Sequence, residues 1–269
     1  MGNLGRPGYA STTDGLWPYS YHDQCDYGIT ANQSSPDGLS HLPGMRLPAC
    51  TCNGEDHPSQ GNSRSAPEID AIEASVGFME PGNQAGIGSA SQSGQFAPFD
   101  IWYQPNYDYL ELFDPTITQM NNYRGGPFQQ AISGVTNLNN SWYNDKEYQS
   151  YAFEYVPGGT QDSYIRWFIG DTPTWGFDAR AVGPNGNIGQ RVIPEEPLAV
   201  VANFGMSGNF AELNWTGLAT LMPATMRFDY IRIYQDEDGV MGCDPPGYPT
   251  TDYIAAHPKA YQNREKLLW

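Results

Sequence analysis

Two stretches of this chain, Ser163–Gly170 (SYIRWFIG) and Met226–Tyr234 (MRFDYIRIY), alternate apolar and polar residues with a period of two. That is the spacing of a strand with one buried face, and no helix fits it. In all, strands are expected over 68–79, 127–135, 151–156, 163–169, 198–204 and 226–234. Turn signals such as Pro157-Gly-Gly and Gly183-Pro-Asn-Gly separate them. With 30 glycines and 22 prolines, the chain is built for turns rather than long helices. The expectation is an all-β, two-sheet sandwich with long loops. Residues 1–66 read as loops with a short strand near Leu16–Tyr21, and the Gly/Ser/Gln-rich run 81–100 also reads as loop. No linker divides the chain, so 1–238 is expected to be one domain and 239–269 an extension packed on it.

The net charge of −17 repels phosphate backbones and anionic lipid, so nucleic acid and the membrane surface are poor partners. A neutral polysaccharide meets no such barrier. Cys50 and Cys52 are too close to pair comfortably with each other, which leaves Cys25–Cys50 with Cys52–Cys243, or Cys25–Cys52 with Cys50–Cys243. His22 and His57 lie in loops without the spacing of a zinc site, so no metal or cofactor is expected. Three sequons, at Asn32, Asn139 and Asn214, agree with a secretory compartment, and no apolar run reaches the length of a membrane span.

Glu68, Asp70 and Glu73 fall within six residues of the expected strand EIDAIEASVGFM. On a regular strand Glu68 and Asp70 share a face, and Glu73 points the other way. One β-bulge between Asp70 and Glu73 returns Glu73 to that face. The two glutamates then stand roughly 13 Å apart at Cα, at about 3.3 Å per residue. Side chains leaning together close to about 5 Å, the carboxyl separation of retaining glycosidases. Crowded like charges raise one pKa and leave another low, which suits an acid and a nucleophile. The bland alternative is a strand whose solvent face happens to be acidic.

Glu68-Ile-Asp-Ala-Ile-Glu73 resembles the bulged E-x-D-x-x-E signature of glycoside hydrolase family 16, and Met226–Gln235 resembles that family's last core strand. The segments MGNLGRPGY, DGLWPYSY, LPACTCNGEDHP, APFDIWYQPNY, GGPFQQAISGVT and GCDPPGYPTTDYI are similar to the fungal β-glucan synthesis-associated proteins within it. This resemblance implies a jelly-roll sandwich of the concanavalin A-like lectin/glucanase type, with retaining chemistry and a part in building cell-wall β-1,6-glucan. By the motif, Glu68 maps to the nucleophile, Asp70 to its assistant and Glu73 to the acid/base. It further implies a type II membrane protein of the endoplasmic reticulum, Golgi or cell surface, facing the lumen or exterior. Measured against that family, the anchor and early strands precede the segment matched here. The chain is therefore expected to be an N-terminally incomplete sandwich, poorly folded alone.

Pyranose rings stack their C–H faces on aromatics, which makes Trp17, Tyr19 and Trp102 candidate platforms; Trp167 reads as readily as core. Asn203, in LAVVANFG, is a candidate polar contact on a late strand. Two classes of function follow: a β-glucan hydrolase or transglycosylase, or a glucan-binding scaffold without turnover. The three crowded carboxylates favour the enzyme.

Overall fold

The alternation seen in the sequence becomes burial in space. In the computed structural model, which describes residues 1–2, 67–76, 86–96, 104–126, 129–142, 146–184, 190–208, 210–239, 241–242, 244 and 246–262, ten strands form. These are β1 (Glu68–Val76), β2 (Gly88–Gln95), β3 (Leu110–Leu112), β4 (Thr118–Met120), β5 (Gly125–Gly126), β6 (Gln129–Gln130), β7 (Ile132–Asn137), β8 (Tyr151–Val156), β9 (Tyr164–Ile169) and β10 (Thr172–Asp178). One sheet runs β1-β2-β7-β4 and the second β3-β10-β9-β8, with β5-β6 a two-stranded ribbon. Every pairing between these strands is antiparallel. The short helices α1 (Trp215–Leu221), α2 (Thr251–Ala256) and α3 (Pro258–Tyr261) follow. Among the described residues, no helix is long and apolar enough to cross a membrane.

The two four-stranded sheets face each other. Ile69, Phe96 and Ile132 from the first meet Ile165, Trp167, Trp175 and Phe177 from the second in one buried cluster. Trp167 stacks on Trp175 with centroids 4.3 Å apart and planes 10° from parallel. Phe177 continues the stack at 5.7 Å from Trp175 and meets Phe96 edge-on at 6.1 Å. This is the all-β sandwich that the periodicity implies, and it makes Trp167 a core residue.

Several elements depart from the sequence expectation. The run 81–100, read as loop, contains β2, the central strand buried along its whole length. A strand covered on both faces shows no apolar alternation, and Gly, Ala and Ser fit where larger side chains do not. The expected strand 127–135 divides into β6 and β7. β10 also goes unread, because Pro173 and Gly176 disguise it. Neither 198–204 nor 226–234 is a strand: apart from one bridge from Ala199 to Gly2, both lie outside the sheets. Ile233 and Tyr234 are 70% and 81% exposed. Alternation supplies an amphipathic face, but a strand also needs a neighbour to complete its ladder, and the described residues provide none here. Leu16–Tyr21 lies outside the described residues.

Gly134 of β7 lets the indole of Trp175 approach its backbone: a Cβ there would sit 2.4 Å from Trp175 Cδ1. Gly134→Ala must displace the stacked rings, and overpacking of this kind costs about 1–3 kcal/mol. A lower midpoint in thermal or urea unfolding, with no change of fold by circular dichroism, is the expected result.

Candidate active site

The carboxylates stand on β1, at the edge of the first sheet, where Met1 and Gly2 run alongside: Ile69 N donates to Met1 O at 2.7 Å, and Gly2 bridges Glu68. The register against β2 pairs Glu68 with Gln95, Asp70 with Ser93 and Glu73 with Ser91, and shifts between Asp70 and Glu73. Gln95, Ser93 and Ser91 are alternate residues of a strand and share one face. Their three partners therefore share it too. The shift is the β-bulge the sequence spacing called for. Measured along the backbone, neighbouring members of the row are about 7 Å apart, two residues of rise on β2.

Ile69 points the other way and is fully buried in the core. Glu68 and Asp70 are half-buried, and Glu73 is exposed. The floor beside them consists of buried hydroxyls and amides: Ser91, Ser93, Gln95 and, one strand further, Ser133 opposite Ser93. Ser93 Oγ donates to Asp70 Oδ2 at 2.6 Å, and Gln95 Nε2 reaches the same oxygen at 3.4 Å.

Asp70 has the most perturbed environment of the row. Burial pushes its pKa well above the ordinary 3.8, and the charges of Glu68 and then Glu73 push it further. The Ser93 hydroxyl opposes this by stabilising the anion, while a hydrogen bond with Glu68 favours the protonated form. The Glu68 carboxyl lies within hydrogen-bonding reach of Asp70, and like charges on one face repel. Solvent reduces this on the Glu73 side. A shift in this direction relieves that repulsion, since a protonated Asp70 can donate its O–H to Glu68.

The other candidates divide between described and undescribed residues. Trp17, Tyr19, Trp102, Asn32 and the cysteines Cys25, Cys50, Cys52 and Cys243 lie outside the described residues. Asn203 is exposed, in a segment with no strand to carry it toward the carboxylates. Asn139 and Asn214 are exposed. Asn139 Oδ1 accepts from Ser141 N and Oγ at 2.9 and 2.7 Å, and Asn214 Oδ1 caps α1 through Gly217 N at 3.0 Å. Ser91, Ser93 and Gln95 went unrecognised in the sequence, because nothing in GSASQSGQ marks a strand until β1 is laid beside it.

Comparison with known proteins places the chain. The profile described as β-glucan synthesis-associated protein SKN1/KRE6/Sbg1 matches residues 1–269. The chain belongs to this family. It is 53% identical over 268 residues to the β-glucan synthesis-associated protein SKN1 of Candida albicans, covering 98% of the chain and 35% of that protein. To KRE6 of Saccharomyces cerevisiae it is 52% identical over 274 aligned positions, covering 100% of the chain and 37% of the relative. The chain thus spans about a third of the length of these relatives. No solved structure matches it.

The raised pKa of Asp70 links to stability. Below 3.8 both folded and unfolded chains hold the proton and the group contributes nothing. As the pH rises, the unfolded state ionises first and is favoured, so stability falls until the folded-state pKa is passed. Asn at this position keeps a donor toward Glu68 and an acceptor for Ser93 without titrating. Asp70→Asn is therefore expected to melt higher than the parent at neutral pH, with the gap closing toward pH 3. A constant gap across that range in calorimetry would contradict it.

Proposed function

We propose that the β1 carboxylates form the catalytic centre of a retaining glycosidase or transglycosylase of the glycoside hydrolase family 16 type, acting on β-linked glucan. What supports this reading most is the bulge that sets Glu68, Asp70 and Glu73 on one sheet face, where burial and like charges raise the pKa of the middle carboxyl. An acidic solvent strand has no reason to align three like charges above a buried polar floor. Relatives named β-glucan synthesis-associated proteins share half of their aligned residues with the chain, which supports a part in β-glucan synthesis. Assembly of cell-wall β-1,6-glucan by a membrane-anchored, lumenal or extracellular enzyme is the finer form of the proposal. The exposed sequons at Asn139 and Asn214 are compatible with that compartment.

In this mechanism Glu68, ionised, attacks the anomeric carbon and forms the glycosyl-enzyme bond. Glu73, protonated, gives its proton to the departing glycosidic oxygen. In the second step Glu73 takes a proton from water or from an acceptor sugar hydroxyl, whose oxygen displaces Glu68. Asp70 holds Glu68 by its hydrogen bond and supports it as a leaving group when the bond breaks.

The expected outcomes differ by residue. Glu68→Gln abolishes turnover while leaving glucan binding largely intact, since an amide keeps the shape but cannot attack. Glu73→Gln spares the first step on substrates with activated leaving groups, which need little protonation. Asp70→Asn slows the reaction less and shifts its pH profile. Trapping with a fluorinated glucosyl donor, followed by peptide mass mapping, is expected to place the label on Glu68. Label on Glu73 would reverse the assignment. Glucan binding without turnover by the unmutated protein would make it a scaffold of glucan assembly instead.

A further inference from the structure

Pairing Asp70 with Ser93 and Glu73 with Ser91 leaves two residues of β1, Ala71 and Ile72, opposite a single residue of β2, Gln92. Gln92 is 0% exposed and belongs to the core side of the sheet. Its Nε2 donates at 3.0 Å to Ala71 O, inside the bulge, and at 3.0 Å to Phe168 O on β9 of the opposite sheet. Its Oε1 accepts from Thr174 Oγ1 at 2.7 Å. Thr174 is itself the extra residue of a second register shift, between Pro173 and Trp175 in β10. One residue before Ala71, Asp70 O accepts from the buried indole Nε1 of Trp167 at 2.9 Å. Two successive carbonyls at the bulge thus accept from side chains of the core, and the tie runs from a bulge in one sheet to a bulge in the other.

We infer that Gln92, oriented by Thr174, is a positioning residue that fixes where β1 bulges and so keeps Glu73 in line with Glu68 and Asp70. The parity of a strand makes this consequential. If the bulge slid past Glu73, that residue would turn toward the core face, while Glu68 and Asp70 stayed where they are. An apolar side chain of equal length would fill the space but leave Ala71 O without its donor, and nothing would then distinguish this bulge position from its neighbours. The inference rests on the glycosidase reading for its effect on turnover, but its structural half stands independently of it.

The test compares Gln92→Met, which keeps length and removes donor and acceptor, with Ile193→Val, a core change at the isolated bridge to Gly158. Three readouts are taken: amide exchange at residues 71–73, the Asp70 carboxyl titration by carbon NMR, and kcat and KM on β-glucan. Gln92→Met is expected to speed exchange at the bulge and to lower the Asp70 titration in part as Glu73 swings away, since burial and Glu68 still raise it. It is expected to lower kcat on the order of tenfold to a hundredfold with KM little changed, as misplacement of a catalytic group does. Ile193→Val is expected to lower the melting temperature and leave all three readouts alone. A folded Gln92→Met with parental exchange and titration overturns the inference. Where Gln92→Met fails to fold, Thr174→Val decides on the same readouts, with a smaller effect in the same direction. Should the parent turn over no glucan, changed exchange and titration would still uphold the positioning role, and only the glycosidase reading would fall.

Discussion

One extra residue in β1 is the constraint on which the site depends. Antiparallel pairing assigns faces by parity, and five positions separate Glu68 from Glu73, so a regular ladder would put them on opposite sides of the sheet. The bulge converts that odd spacing into an even one, measured against Gln95 and Ser91 of β2. It leaves backbone groups that the ladder does not satisfy, and such groups are tolerated inside a protein only when something else bonds them. Gln92 and Trp167 do so from within the core, where Gln92 is a fully buried amide.

The electrostatics of the row follow from the same geometry. A carboxylate row in water would merely repel, weakly. Here the side chains rise from a sheet face whose neighbours on β2 are themselves buried, so burial is the leading influence on Asp70 and the charges of Glu68 and Glu73 add to it. Ser93 pulls in the opposite direction without prevailing. A middle carboxyl shifted toward its protonated form eases the repulsion along the row, whose outer two members are the proposed nucleophile and acid/base.

Legibility varied from element to element. β8 and β9 carry plain alternation because one face of each is wet, and the sequence showed them with their boundaries nearly right. The bulge was legible from parity, once the three acidic residues were taken to belong together. β2 was not, since a strand buried on both sides by small residues has the composition of a loop. The stretch at 226–234 failed in the other direction: its alternation is as clear as that of β9, yet the described residues offer it no ladder.

The sequence by itself determined the class of fold, the acidic row, its parity problem and the family, since these follow from residue type and spacing along one strand or one chain. The tertiary structure alone decided which residues flank the carboxylates and what holds the bulge in place. Ser91, Ser93 and Gln95 reach the row by lying on the neighbouring strand, 18 to 27 residues further along the chain. Trp167 reaches the bulge from the opposite sheet, 97 residues beyond Asp70, and Thr174 reaches Gln92 from 82 residues on. Contacts of that kind are set by register and by the packing of two sheets, and local periodicity carries neither.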